Sequence, residues 1–356
     1  MGLENDIDDR VVELLNLIRR DYIDPEVALD FTRLSGFFTL DSLTRIAFGK
    51  AMGFLEKNED LFSYFKTSSR LYPIVKCSMH HLTILRILQT VQKLVPQPSD
   101  VGFGAIVTAV HQAVRERFHA DPDMDIPADM LNSFMRHGLT QLECESEAIL
   151  QIMAGSDSTA HALRTTFYHI LTSPSAYARL MAEIETALQK GAVSYPVIQN
   201  REAQELPYLR ACIMEGLRVF VPLNGVSPRI APSPGGITHN GVYIPPGTEV
   251  GISIYSMMHR EDIFGPDADT FRPERWFDKD TERLIARERV QEMVFGTGRT
   301  SCLGKDIAWM ELRKVIFEAS TSLPTTLFLC HFPRSNSALS LILPPSLLAK
   351  RLQMLT

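Results

Sequence analysis

The sequence has few of the features that identify secreted, nucleic-acid-binding or membrane-spanning proteins. Its 356 residues carry a formal net charge of −6, so it lacks the basic footprint that nucleic-acid binding demands. No run of eighteen apolar residues occurs, which predicts no membrane span. The first residues are too acidic for the basic region of a signal peptide. We therefore expect no nucleic-acid partner and no membrane anchor in this chain.

Cysteine is scarce and scattered. An odd number of five cysteines without any C-x-x-C spacing predicts neither a disulfide framework nor a zinc site, and favours a reducing compartment. The cysteines are Cys77, Cys144, Cys212, Cys302 and Cys330.

Among the histidines, His111 has no second metal ligand three or four residues away, so we predict surface or structural roles for it and for His80 and His81.

Three glycines surround one of these cysteines in the stretch Phe-Gly-Thr-Gly-Arg-Thr-Ser-Cys-Leu-Gly, which starts at Phe295 and leads into a helical pattern. Gly296, Gly298 and Gly304 are predicted to take positive φ angles and to let the backbone approach a flat ligand closely. The helix that follows begins with free N–H groups, which favour an anion. The pattern predicts a stabilised thiolate at Cys302.

Two common glycine-rich motifs do not fit this stretch. A phosphate-binding loop would need a glycine at Arg299 and a Ser or Thr at Asp306, after Gly304-Lys305. A dinucleotide fingerprint would need its third glycine at Ser301. A purely structural turn around a small buried cysteine remains open.

The arrangement Phe-Gly-x-Gly-Arg before the cysteine and x-Gly after it resembles the haem-ligand loop of the cytochrome P-450 superfamily. The resemblance implies that Cys302 is the axial ligand of a haem b iron. It also implies that Phe295, Arg299 and Gly304 belong to the cofactor site. Arg299 stands three residues before the cysteine, whereas the commonest family pattern places this arginine two before.

Residues 144–171 keep a helical spacing of apolar side chains through a polar interruption, Ala-Gly-Ser-Asp-Ser-Thr. One interpretation is a helix end, with Ser156 or Asp157 capping a second helix. The other is one long helix, locally widened over a cofactor. The stretch resembles the oxygen-binding groove of the same family, which implies that Asp157, Ser158 and Thr159 deliver protons.

An E-x-x-R pair at Glu215 and Arg218 carries little information alone, because i,i+3 ion pairs are common on helices. Downstream, residues 271–276 read Phe-Arg-Pro-Glu-Arg-Trp and resemble the family's F-x-P-x-R segment. The resemblance implies a structural triad of Glu215, Arg218 and Arg275. Such a triad can form a buried bidentate network that holds the cysteine loop.

Short apolar runs at 227–231 and 241–252, broken by Gly and Pro, predict a small sheet. Arg229 resembles the family arginine that contacts a haem propionate, with a plain surface arginine as the alternative. By the same resemblance, residues 221–226 would line the substrate side of the haem.

Helical patterns dominate elsewhere, including 8–22 and 31–49, where Gly49 is predicted to end the helix. The fold class is therefore mainly α with a minor β part, and the resemblance implies a cytochrome P-450 fold incomplete at both ends. We expect a haem-thiolate domain over residues 1–318, lacking its N-terminal part. Residues 319–356 contain no Asp or Glu and are expected to form a divergent tail.

The resemblance implies a haem-thiolate monooxygenase that inserts one oxygen atom from O2 into a small organic substrate, with electrons from an NADPH-dependent reductase. The fungal character of the motifs suggests secondary metabolism. A haem-thiolate isomerase or dehydratase, and a non-catalytic truncated fragment, remain alternatives. Full-length relatives usually sit on the endoplasmic reticulum facing the cytosol, but the location of this chain is not determined by its sequence.

Overall fold

The computed structural model describes residues 2–25, 27, 29–70, 99–120, 129–225, 228–322 and 342–343. These residues form two compact units. The first contains the described residues up to Ala160 together with 342–343, and the second runs from His161 to Ser322. Among the described helices, none combines the length and the apolar character that a membrane crossing requires. The expected tail over 319–356 lies almost entirely outside the described residues, so the predicted domain boundary stays a prediction.

The first unit is built mainly from helices. A π-helical turn over Arg19–Ile23 follows the first helix, and a 3-10 turn covers Leu61–Ser63. Two short strands, β1 (Leu29–Asp30) and β6 (Ile342–Leu343), pair antiparallel. The helices are α1 (Leu3–Ile18), α2 (Phe31–Phe48), α3 (Phe54–Lys57), α4 (Gly102–Phe118), α5 (Met130–Arg136) and α6 (Gln141–Thr172), the last of which continues into the second unit.

The predicted helices at the start of the chain are present. An apolar stripe at helical spacing is buried along α1, which begins earlier than the predicted residue 8. Helix α2 begins at an N-cap, where the Asp30 carboxylate accepts a hydrogen bond from the Arg33 N–H at 3.2 Å. It ends at Gly49, which has a φ of 74° and donates its N–H to the Arg45 carbonyl. The prediction that Gly49 ends this helix is confirmed.

Helix α6 runs without a break for 32 residues, through the polar interruption in the sequence. The interpretation as a helix end capped by Ser156 or Asp157 is therefore wrong. Gly, Ser and Asp lower the intrinsic preference for helix by less than about 1 kcal/mol each. The regularly spaced apolar side chains around them outweigh this cost, because Ile152, Ala160 and Leu163 are all buried.

The second unit combines helices with short strands. Its 3-10 turns are Pro273–Phe277, Met293–Phe295 and Gly298–Thr300. Its strands are β2 (Arg229–Ile230), β3 (Ile237–His239), β4 (Val242–Ile244) and β5 (Glu249–Val250). Its helices are α7 (Pro174–Gln189), α8 (Asn200–Gln204), α9 (Pro207–Val219), α10 (Ile254–Met258), α11 (Glu261–Phe264), α12 (Thr281–Glu292) and α13 (Lys305–Ser322).

The strands of this unit form two small antiparallel pairs. Strand β2 pairs with β5, and β3 pairs with β4 through a turn in which Gly241 has a φ of 78°. The predicted small sheet is thus present as two-stranded ribbons. The prediction of a mainly helical fold with a minor β part is confirmed.

Helix α9 is the most buried helix segment of the second unit: ten of its residues are buried, and it packs against α7 and α13. Gly216 allows it to approach the Thr166 turn of α6 very closely. A Cβ atom on Gly216 would stand 2.1 Å from the Thr166 Oγ1 and 2.9 Å from the Thr166 Cα. Only a residue without a side chain fits this contact.

We predict that Gly216→Ala lowers the free energy of unfolding by about 1–3 kcal/mol, because the added methyl group overlaps backbone that cannot rotate away. Helix propensity alone would change stability in the opposite direction by up to about 1 kcal/mol. Urea denaturation measures the difference. Gly225→Ala is the control, since a Cβ there meets no atom within 4 Å. Equal or higher stability of Gly216→Ala would contradict this account of the packing.

Candidate functional site

The cysteine loop connects the 3-10 turn that ends at Phe295 to α13. Cys302 donates its backbone N–H to the Phe295 carbonyl at 2.7 Å, which closes the loop. The side chain of Cys302 is exposed, and the following Leu303 is fully exposed. The loop therefore presents a thiol three residues before the first residue of α13, whereas Cys144 and Cys212 are buried.

Two of the three loop glycines adopt the conformation that the sequence predicts. Gly296 has a φ of 71° and Gly298 a φ of 64°, both in the left-handed region. The prediction of a positive φ at Gly304 is wrong, because the carbonyl of this residue already accepts the first-turn N–H of Ala308 at 2.9 Å. A Cβ on Gly304 would stand 3.9 Å from the Cys302 Sγ, an ordinary contact.

The predicted propionate partners differ in their surroundings. Arg229 lies on β2 and donates from Nη2 to the Thr300 Oγ1 at 2.7 Å, so it reaches the cysteine loop. Arg299 is exposed, and its side chain makes no hydrogen bond within the described ranges. The Phe295 ring lies against the Trp309 ring of α13, with the two ring centroids 6.5 Å apart.

A fully buried carboxylate accepts five hydrogen bonds in the second unit. Glu215 receives them from the Arg218 and Arg275 guanidinium groups at 2.7–3.0 Å, with both arginines also buried. The other donors are the Trp276 Nε1 at 3.0 Å and the Arg272 backbone N–H at 2.9 Å. The structure thus brings together the three residues that the sequence selected as a triad. Trp276 was not selected, although it directly follows Arg275.

Backbone carbonyls satisfy the remaining donors of the two buried arginines. Arg218 donates to the carbonyls of Met258, Ala268 and Thr270 at 2.6–3.1 Å. Arg275 donates to the carbonyls of Phe264, Asp267 and Thr270. Burial lowers the pKa of Arg275, while the charge of Glu215 acts in the opposite direction. These contacts tie α9 to the segment 258–276 at many points.

Arg287 connects this network to the helix that leads into the cysteine loop. It lies on α12, is 5% exposed, and donates to the Arg275 carbonyl at 3.0 Å and to the Ile263 carbonyl at 2.9 Å. Its Nη1 also lies 2.8 Å from the Asp278 carboxylate. Nothing in the sequence distinguishes Arg287 from the other arginines of this very polar helix, because two of its three partners are backbone carbonyls that no side-chain pattern reveals.

The predicted proton-relay residues all lie on α6 in the first unit. Asp157 is exposed, and Thr159 is buried at 6% exposure. The Ser158 hydroxyl donates back to the Ala154 carbonyl at 2.7 Å. This bond to the preceding turn holds the serine side chain along the helix.

Helix α2 packs directly against this polar stretch. The Thr39 hydroxyl donates to the Ser156 carbonyl at 2.8 Å, and the Leu43 Cδ2 lies 3.0 Å from the position of a Cβ on Gly155. Burial raises the pKa of Tyr64, a hydrogen bond with Ser156 opposes the shift, and the charge of Asp157 adds to it. Thr39 and Tyr64 were not identified from the sequence, since they are distant in the chain from α6.

His161 follows the relay residues on α6 and belongs to the second unit. Burial, and then the charge of Arg164, lower the pKa of His161 to about 4. Its ring lies 4.9 Å from that of Phe220, and its Nε2 has no hydrogen-bond partner. At neutral pH it is therefore a neutral, partly buried aromatic side chain rather than a cation.

No cluster of three or more metal-ligating side chains occurs in the part of the chain that the structure describes. The His111 Nδ1 contacts the Glu145 carboxylate at 2.6 Å, a structural role of the predicted kind. His80, His81, Cys77 and Cys330 lie outside the described residues.

We predict that Glu215→Gln lowers the free energy of unfolding by about 3–5 kcal/mol, because two buried guanidinium groups then share no carboxylate. Trp276→Phe removes one donor and leaves the charges paired, so its effect should be about 1–2 kcal/mol. Asp262→Asn, in the exposed pair with Arg260, is the control and should have little effect. Urea denaturation of the three variants tests this order of losses in the free energy of unfolding. Similar values for Glu215→Gln and Asp262→Asn would contradict the assigned role.

Comparison with known proteins identifies the family to which this chain is similar. The sequence profile described as cytochrome P-450 matches residues 2–318. The chain is 40% identical to cytochrome P-450 monooxygenase ABA1 of Pyricularia oryzae over 89% of its own length and 63% of that protein. It is 38% identical to monooxygenase aba1 of Botryotinia fuckeliana, with the same coverage. Identity to monooxygenase ACRTS1 of Alternaria alternata is 31%, over 87% of this chain and 84% of that protein.

The chain therefore spans less than two thirds of the length of the first two relatives. The profile match nevertheless covers most of the chain and includes the cysteine loop, the buried network and α6. This chain belongs to the cytochrome P-450 family.

Proposed function

We propose that this protein is a haem-thiolate monooxygenase that inserts one oxygen atom from O2 into a small organic substrate. The observation that carries the proposal is the exposed Cys302 thiol, held on a glycine loop directly before the first turn of α13. The names of the fungal relatives, each a cytochrome P-450 monooxygenase, support the same reaction class. Fungal secondary metabolism is the context that we propose.

The residues of the loop fit haem b, the cofactor of the family. A thiolate at Cys302 would bind the iron, and the N–H groups at the start of α13 stabilise its negative charge. Gly296 and Gly298 carry no side chains that would obstruct the approach of a flat ring system to the backbone of the loop. When bound, the haem iron supplies oxygen activation, and a thiolate ligand favours O–O cleavage.

Two arginines are candidates for the haem propionates. We favour Arg229, because its guanidinium already reaches the loop through Thr300 and because arginine matches the geometry of a carboxylate. Arg299 is the second candidate, on the evidence of its exposure and its place in the loop. Within 221–226, the segment that we propose for the substrate side, Val221 is buried and Leu223 is 64% exposed.

We propose that Asp157, with the Ser158 or Thr159 hydroxyl, delivers protons during the reaction. The support is the exposed acid beside two hydroxyls on a continuous helix, in the order of the family pattern. Electrons would come from an NADPH-dependent reductase. An isomerase or dehydratase on the same cofactor would need neither the acid nor the reductase, so the relay residues favour the monooxygenase.

We predict that the haem-loaded protein shows the strongly red-shifted Soret band of a thiolate-ligated ferrous carbonyl complex. Cys302→Ala should abolish this band, because the variant has no thiolate at the iron. Cys212→Ala is the matched control and should keep the band, since its thiol is buried in α9. A red-shifted band in Cys302→Ala would reject the proposed function.

We predict that Asp157→Asn leaves substrate binding intact and lowers product formation by about a hundredfold or more, with reducing equivalents diverted to peroxide. The double change Ser158→Ala, Thr159→Ala should act in the same direction. Product and peroxide per NADPH consumed are measured side by side. Glu147→Gln, an exposed acid earlier on α6, is the control. Unchanged product per NADPH in Asp157→Asn would reject the relay.

A further inference from the structure

A hydrogen bond between two side chains joins strand β2 to the cysteine loop. Arg229 donates from Nη2 to the Thr300 Oγ1 at 2.7 Å, although the two residues are 71 positions apart in the chain. Thr300 is the last residue of the 3-10 turn Gly298–Thr300 and stands two residues before Cys302. The guanidinium of Arg229 is therefore held beside the segment that carries the thiol.

The hydroxyl of Thr300 takes part in two hydrogen bonds. It accepts one from Arg229 and donates one to the Thr297 carbonyl at 3.3 Å. A hydroxyl has one proton and two lone pairs, so both bonds can form at once. With its proton directed at Thr297, the oxygen presents a lone pair to the arginine. Serine could make the same two bonds, whereas valine, which has nearly the shape of threonine, could make neither.

The backbone of the turn keeps Thr300 in place. Its neighbour Ser301 donates its N–H to the Gly298 carbonyl at 3.2 Å. The Thr300 carbonyl lies 3.0 Å from the position of a Cβ on Gly296, so the loop closes tightly around this residue. The Thr300 hydroxyl is thus an acceptor whose position is set by the fold of the loop.

Arg229, by contrast, extends from an exposed strand of two residues. Its strand partner Val250 is exposed as well, and its Nη1 donates to the adjacent Pro228 carbonyl at 3.3 Å. A long exposed side chain has many rotamers, and binding a ligand must restrict them. A charge-assisted hydrogen bond to an acceptor of fixed position removes part of this freedom in advance.

Arg299, the other arginine proposed for a propionate, has no such support. It directly precedes Thr300 in the same turn and is also exposed, but its side chain makes no hydrogen bond within the described part of the chain. The contact with Thr300 therefore distinguishes Arg229 from the second candidate.

We propose that Thr300 is a positioning residue, whose hydroxyl orients the Arg229 guanidinium for a carboxylate group of the bound cofactor. This role rests on the proposed function, because it needs a cofactor with carboxylates at the loop. A guanidinium is planar, so a bond at one Nη restricts the direction of the whole group. Thr300 acts through Arg229 and does not itself bind the cofactor in this role.

The rate of haem release tests the proposal without turnover, by absorbance, as haem transfers to an excess of a haem-scavenging globin. Thr300→Val should release haem about two- to tenfold faster, because a long side chain then loses its preset orientation. Thr300→Ser keeps the hydroxyl and should release haem at the rate of the unchanged protein. Thr238→Val, which removes an exposed hydroxyl on β3 outside the loop, is the control and should have no effect.

A second comparison separates positioning from a merely structural role. In an Arg229→Gln background, Thr300→Val should not speed haem release further, because the group that Thr300 orients is already absent. A role confined to the bond with Thr297 would give the same factor in both backgrounds. Equal factors, or an unchanged release rate for Thr300→Val alone, would overturn the proposal.

Two kinds of failure can be told apart in these experiments. Absence of the red-shifted Soret band in the unchanged protein would reject the proposed function and the role of Thr300 with it. If the band is present, equal effects of Thr300→Val with and without Arg229 would reject the role of Thr300 alone.

Discussion

One buried carboxylate, Glu215, organises the second unit. Desolvating a carboxylate and two guanidinium groups is costly, and the cost is offset only when every donor and acceptor has a partner. Here Glu215 accepts five hydrogen bonds, and the spare donors of Arg218 and Arg275 end on backbone carbonyls. Such a network has one arrangement that satisfies all groups, so it fixes α9 and the irregular segment 258–276 in a defined geometry.

This geometry extends to the cysteine loop through Arg287. Arg287 lies on α12, which runs into the turn that ends at Phe295. Its guanidinium donates to the Arg275 carbonyl. The Phe295 carbonyl in turn holds the Cys302 N–H. A loop with three glycines has little rigidity of its own. We infer that the position of the thiol depends on these contacts and that the network has a structural role.

Local patterns in the sequence were enough to predict much of the fold. The helical spacing along α1, the end of α2 at Gly49 and the short β-type runs all depend on neighbours in the chain, and all are present. Family resemblance selected Glu215 and Arg275, which are 60 residues apart and could not be paired from spacing alone. Of the two interpretations of the stretch near Asp157, the helix end is wrong and the helix is continuous, because tertiary packing outweighs weak local propensity.

The contacts of residues whose partners are backbone atoms or lie on distant helices could not be predicted from the sequence. Arg287 donates to two carbonyls, Thr39 donates to the Ser156 carbonyl, and Gly304 takes an ordinary conformation because it starts a helix. None of these contacts leaves a periodic or motif-like signal, since each is defined only when the elements pack.

We infer that the buried network positions the thiol of Cys302 through Arg287. The most direct test is the ferrous carbonyl spectrum of haem-loaded Arg287→Gln, compared with Arg283→Gln, an exposed arginine on the same helix. We predict that Arg287→Gln binds haem but shows a smaller share of the red-shifted thiolate form, whereas Arg283→Gln keeps the full share. A full thiolate share in Arg287→Gln would contradict the account.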